Sequence, residues 1–156
     1  MVVREYSFVT RWKIRAPLER VWDAIYHSEQ WPTWWKGVER VEEIRSASGP
    51  NGVGSVRRFI WKNTLPYRLT FDMTVTRVDP PEIIESIAAG ELEGTGRWTL
   101  TPMGLGTVAR YDWNVRTTKL WMNLLAPVAH PLFRWNHDVV MSWGLQGITR
   151  LLAAPS

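Results

Sequence analysis

Cysteine is missing from all 156 residues, which removes disulfides, thiolate catalysis and cysteine-based metal sites at once. Histidine is scarce as well. His27, His130 and His137 stand far apart, with no HExxH or other close pair, so no metal or cofactor is expected. Long apolar runs are lacking: the longest uncharged stretch, Leu120 to Phe133, is too short to span a bilayer and contains two prolines. The opening residues "MVVREYSF" do not carry the basic-then-apolar pattern of a secretory signal, and a cytoplasmic location is expected. Runs of like charge are absent too. The net charge is +4, yet Arg11, Lys13 and Arg15 alternate with Trp12 and Ile14 as the solvent face of a strand does. No nucleic-acid partner is expected.

Several nucleotide and hydrolase motifs fail on inspection. "GLGTVA" fits a GxGxxA pattern but falls in a hairpin before a strand, where a dinucleotide fingerprint needs a strand and then a helix. "GPNGVGS" lacks the lysine of a phosphate loop, and no GxSxG occurs.

What the chain does have is tryptophan, 11 copies of it. Aromatic rings bury large areas, and each indole carries one N–H that needs a partner when buried. So many in one chain of domain size point to a bulky core or to an aromatic-lined cavity. One domain over residues 1–156 is expected, since no repeat, low-complexity tract or linker interrupts it.

Periodicity supplies the order of elements. Residues 6 to 15 alternate with Phe8, Thr10, Trp12 and Ile14 on one side, a first strand. "APLERVWDAIYH" follows as a helix with Pro17 in its first turn and Leu18, Val21, Trp22 and Ile25 on one face. A second short helical segment lies around "SEQWPTWWKG". Strands are then expected near 38–46, 53–62, 66–78, 83–90, 92–102 and 106–117, separated by "SGPNG", "NTLP", "DPPE" and "TPMGLG". Loops so short imply antiparallel neighbours. Pro127 and Pro131 should break or kink any helix before Leu132, and a long helix then runs to Leu152. Its apolar stripe is Phe133, His137, Val140, Met141, Gly144, Ile148 and Leu151. The expected class is α+β, a curved antiparallel sheet of about seven strands wrapped around a long C-terminal helix, with two short helices after strand one.

His137 and Asp138 are neighbours in "FRWNHDVVMSWG", but helical geometry turns them about 100 degrees apart. His137 faces the sheet, and Asp138 falls nearer Arg134, with which it can pair at i−4. A His–Asp dyad is therefore disfavoured. As a core residue His137 needs a backbone or tyrosine partner; as a cavity residue it offers a ligand one hydrogen bond; as a general base it is the one catalytic candidate. Among the tryptophans, Trp12, Trp22 and Trp98 read as core, and Trp34 and Trp35 as a cavity entrance.

The stretches "IRAPLERVWDAI", "WPTWWKGV", "GTGRWTL", "GTVARYDWNV" and "WNHDVVMSWGLQGI" resemble the START-like, helix-grip (SRPBCC) superfamily, in its polyketide cyclase/dehydrase and lipid-transport branch. The resemblance covers essentially the whole chain. It implies a cavity between sheet and terminal helix that holds a lipid, a sterol or an aromatic, polyketide-like molecule. By position its walls would be Trp35, Phe59, Tyr67, Leu69, Phe71, Trp98, Tyr111, Trp113, His137 and Met141, with Arg57 a candidate polar anchor. That family has no universal catalytic motif to transfer. Three functions follow as expectations: a carrier of a hydrophobic small molecule, a polyketide cyclase/dehydratase with His137 as acid/base beside Tyr111 or Arg57, and transient membrane contact through "LWMNLLAP" and "HPLFRW". Oligomeric state is not legible.

Overall fold

Alternation of apolar and charged side chains builds seven strands, and helical spacing builds the two elements that cover them. In the computed structural model residues 5–64, 68–118 and 126–153 are described, with the backbone alone for 126–130. Strand β1 (Glu5–Ile14) leads into α1 (Leu18–Tyr26) and a 3₁₀ helix (Ser28–Thr33). Then come β2 (Val38–Arg45), a short 3₁₀ turn (Pro50–Gly52), β3 (Val56–Lys62), β4 (Arg68–Asp79), β5 (Ile83–Gly90), β6 (Leu92–Met103), β7 (Gly106–Thr117) and α2 (Ala126–Ala153). The strands form one antiparallel sheet in the order β1-β7-β6-β5-β4-β3-β2. This is the α+β helix-grip arrangement.

The sheet is strongly curved. Flat, it would hold β4 and β7 roughly 14 Å apart at ~4.8 Å per strand. Yet the rings of Phe71 on β4 and Trp113 on β7 approach to 5.6 Å. Inside the curve the indoles interlock: Trp12 lies 5.1 Å from both Trp35 and Trp98. The helix α2 meets this cluster at Gly144, where a Cβ would lie 2.5 Å from Trp35 and 2.6 Å from Trp12. A glycine in mid-helix costs about 1 kcal/mol relative to alanine, and here it is what lets the helix close on the two rings.

Two expectations about α2 are corrected. Pro131 does not end it; the helix runs through from Ala126. So near the start, a proline forfeits little beyond its own bond to the carbonyl four residues back. And Leu151 points outward, 42% exposed, while Leu152 packs on the core. One residue of rotation separates them, because 3.6 residues per turn lets either i+3 or i+4 follow Ile148. The expected start of β3 at 53 also shifts to Val56, since residues 50–52 are wound into the 3₁₀ turn.

Outside the curve, the sheet carries cross-strand ion pairs, including Arg58–Asp72 at 2.8 Å and Arg116–Glu93 at 2.7 Å. Solvated pairs of this kind each contribute little.

Candidate functional site

Between sheet and helix lies a cavity of about 210 Å³. Its existence is written in side-chain size. Cross-strand register aligns Phe8, Trp113, Gly96, Ser86 and Val75 in one row, and the Val75 N–H donates to the Ser55 carbonyl at the row's far end. Three of those inward positions, Gly96, Ser86 and Ser55, carry almost no side chain, in a sheet whose other rows hold Trp98, Tyr111, Phe71 and Phe59. Larger residues at Ser86 and Ser55 would fill the space. Gly96 has its own reason to be small: the Tyr111 hydroxyl stands directly above it, where a Cβ would sit.

Of the residues expected in the walls, Trp35, Phe59, Leu69, Phe71, Trp98, Tyr111, Trp113, His137 and Met141 line the cavity. Tyr67 lies outside the described residues. Trp35 is no entrance residue; it is 2% exposed and donates its indole N–H to the Val140 carbonyl at 2.9 Å, tying the 3₁₀ segment to α2. Sequence reasoning missed Phe8, Ser28, Trp31, Ser55, Ser86 and Asn136, which also line the space. The legible signal would have been small or polar residues in the inward phase of otherwise aromatic strands, as in "SVRRF", "IIESI" and "GTGRW".

Polar groups enter from separate places. Arg57, in phase with Phe59, donates to the Ser28 hydroxyl at 2.7 Å and pairs with Glu29 at 3.0 Å, and Glu29 also meets His27 at 3.2 Å. The guanidinium is thus held at the cavity wall with its charge already balanced. At one end the Tyr26 hydroxyl donates to the Asn51 carbonyl at 2.6 Å. At the other, the Thr64 N–H and hydroxyl both donate to the Asn136 side-chain oxygen, at 3.1 and 2.6 Å, pinning the end of β3 to α2.

His137 stacks on Phe8, ring centres 4.4 Å apart. Its Nδ1 lies 3.8 Å from Asp138, too far for a hydrogen bond, and has no hydrogen-bond partner among the described residues. Burial pushes its pKa down to about 4, opposed by the carboxylate of Asp138, so the imidazole is neutral at pH 7. Arg134 does not pair with Asp138; its guanidinium lies 5.4 Å over the Phe8 ring instead. Desolvation raises the Tyr111 phenol far above its ordinary range. Neither group is tuned toward neutral pH as an efficient acid or base should be. No three His, Cys, Asp or Glu side chains among the described residues gather to hold a metal. The arrangement can enclose and orient a largely apolar molecule and hydrogen-bond a polar group on it.

Residues 6–154 match the family described as polyketide cyclase / dehydrase and lipid transport. The chain belongs to that family. Among solved structures, the di-domain ARO/CYC BexL of the BE-7585A biosynthetic pathway superposes with a TM-score of 0.75 at 19% identity, over 97% of this chain and 51% of that one. The chain thus spans about half the length of BexL. The Zhui aromatase/cyclase from Streptomyces sp. R1128 gives 0.74 at 14% identity, covering 96% and 94%. Norcoclaurine synthase of Thalictrum flavum gives 0.63 at 12% identity, covering 97% and 96%. At such identities the likeness to these structures shows the fold alone. No curated protein matches the chain by sequence. Membership in the polyketide cyclase / dehydrase and lipid transport family therefore rests on the 6–154 match, and the cavity between sheet and helix is the feature this member offers to a ligand.

Proposed function

We propose that this chain, acting as one domain over residues 1–156, binds a hydrophobic small molecule between sheet and α2 without transforming it. The observation that carries the reading is an aromatic-walled cavity in which the titratable groups do not converge: Arg57 is engaged by Glu29, while His137 stacks on Phe8 at the opposite edge of the sheet. Volume narrows the ligand. A dry cavity of about 150 Å³ accepts benzene, so about 210 Å³ suits a flat molecule of two or three rings better than a sterol or a long acyl chain. Native mass spectrometry of gently purified protein should show a co-purified apolar molecule of that size. A bare chain that also fails to bind planar aromatic probes would overturn the proposal.

The second reading, a cyclase/dehydratase, is favoured by neighbours that are themselves named aromatase/cyclase. Confining a flexible chain in a folded conformation supplies much of the barrier reduction in such a reaction, with few chemical groups required. In this reading His137→Leu abolishes turnover of a polyketide-like substrate while binding survives. Conversion that continues unchanged removes His137 from the chemistry. The membrane-contact reading rests largely on residues 119–125, outside the described residues; no helix among the described residues is long and apolar enough to cross a membrane.

A further inference from the structure

The open sheet ends in two edge strands, β1 and β2, and they are treated differently. An exposed edge offers unpaired N–H and C=O groups to any strand of matching pattern, so edges carry charges, irregularities or a covering element. β2 has all three. Five of its eight residues are charged, and its register against β3 shifts at two points. The 3₁₀ segment packs against it, and the Val38 N–H donates to the Trp35 carbonyl at 3.1 Å. β1 has no such cover or irregularity. Ten residues long, it keeps one unbroken register with β7 from Glu5 to Ile14. Beyond that ladder, Ser7 to Ile14 make no backbone hydrogen bond among the described residues.

The solvent face of β1 supplies a second observation. It reads Glu5, Ser7, Val9, Arg11, Lys13, all exposed, with an acid at one end, two bases at the other and a half-exposed valine between them. None of the three charged residues forms an ion pair among the described residues. A strand with that order complements itself run backwards. We infer that β1 is a self-association edge, to which a second copy of this chain adds its own β1 antiparallel, with the two-fold axis at Val9. In that register Val9 meets Val9 of the second copy, Ser7 meets Arg11, and Glu5 meets Lys13 with Arg11 as its diagonal neighbour. Tyr6, Phe8, Trp12 and Ile14 stay on the helix side in both copies, because the register preserves the two faces. Centring the axis on Arg11 would set that arginine against itself, and centring it on Ser7 would pair only residues 5–9. This edge is independent of the cavity-binding reading.

Nine paired residues bury less than the ~1,000 Å² of a firm interface, so the dimer should be weak, with a dissociation constant on the order of 0.1 mM. Sedimentation equilibrium of the full chain up to about 0.5 mM should therefore show monomer giving way to dimer. Lys13→Glu should weaken association about tenfold, because both symmetry-related contacts turn from attraction to repulsion. Adding Glu5→Lys should restore it to within about twofold. Adding Glu82→Lys instead, which gives the same net charge from the turn before β5, should not. Because the chain has no cysteine, Val9→Cys adds a single thiol, and two of them across the axis lie roughly 4.5–5.5 Å apart at Cβ. Mild oxidation should cross-link this variant about tenfold faster than Ile87→Cys, since pairing holds the two thiols together. Ile87 is as exposed on the same sheet, at 51% against 50% for Val9. A monomer at every concentration, equal cross-linking at positions 9 and 87, or a Lys13→Glu defect that Glu5→Lys does not repair overturns the proposal. Each of these leaves the cavity-binding reading untouched.

Discussion

The two ends of the same sheet-and-helix sandwich are built from the same kinds of residue and behave oppositely. Around Trp12, the inward residues Leu100, Ala109 and Ile148 are buried to 2% or less, and α2 closes on Trp12 and Trp35 through Gly144. That end is solid. Around Trp113, an equally large aromatic, the same row runs through Gly96, over which the Tyr111 hydroxyl stands, to Ser86 and then Ser55, and the space beside the two serines is part of the cavity. Large rings by themselves fill neither end; the neighbours decide. An indole set among other indoles and a glycine on the opposing helix becomes core, and an indole set beside a row of hydroxyls becomes a wall.

The sharpest way to break this comparison is to truncate one tryptophan at each end. Trp12→Ala should cost about 4 kcal/mol of unfolding free energy, because a large ring leaves a site whose neighbours cannot collapse. Trp113→Ala should cost about 2 kcal/mol, since one side of that ring already faces unfilled space and fewer contacts are lost. Urea denaturation of both variants measures the difference. Equal costs would mean that the end around Trp113 is as tightly packed as the end around Trp12.

A smaller effect probes the polarity of the hollow end. His137 is neutral in the folded chain because burial lowers its pKa from 6.5 to about 4. The unfolded chain binds the proton more tightly, so folding stability is complete above about pH 6.5 and falls as the pH drops towards 4. At 1.36 kcal/mol per unit the full loss is on the order of 3 kcal/mol. His137→Leu should flatten the curve of urea midpoint against pH between 6.5 and 4, leaving the decline due to carboxylates at lower pH. An unchanged slope in that window would show that His137 is not desolvated in the native state.

Most of the architecture was legible because it depends on period. Alternation in "YRLTFDMTV" and "TVARYDWNV", and turn residues between them, predict strands and antiparallel neighbours from the chain alone. The helix start was misjudged because a proline's cost depends on its distance from the helix terminus, which period does not reveal. The site was half legible for a related reason. Aromatic residues announce themselves, and nine of the ten expected wall residues do face the cavity. Ser55, Ser86 and Gly96 were overlooked because emptiness is a property of three strands in register, and no single strand shows it. The partner of Asp138 was misread in the same way: helix spacing brought Arg134 within reach, but the Phe8 ring, supplied by β1, holds it.

The smallest effect separates packing from recognition most cleanly. Ser86→Val places two methyl groups into space that is already open, so the fold has nothing to displace. Burial of the added carbon, at ~0.8 kcal/mol per methylene, together with removal of an unpaired hydroxyl, should leave stability unchanged or raise it by about 1 kcal/mol. A same-sized change at the solid end, Ala109→Val, meets neighbours with no exposed surface and should lower stability by about 1–3 kcal/mol. The two variants thus add apolar volume on the same sheet and should move the urea midpoint in opposite directions, or one not at all. Binding of a planar aromatic probe should fall about tenfold in Ser86→Val, because the volume gained by the core is taken from the ligand. If Ser86→Val instead destabilises as much as Ala109→Val does, the row through Gly96, Ser86 and Ser55 is closed in solution, and the contrast between the two ends of the molecule disappears with it.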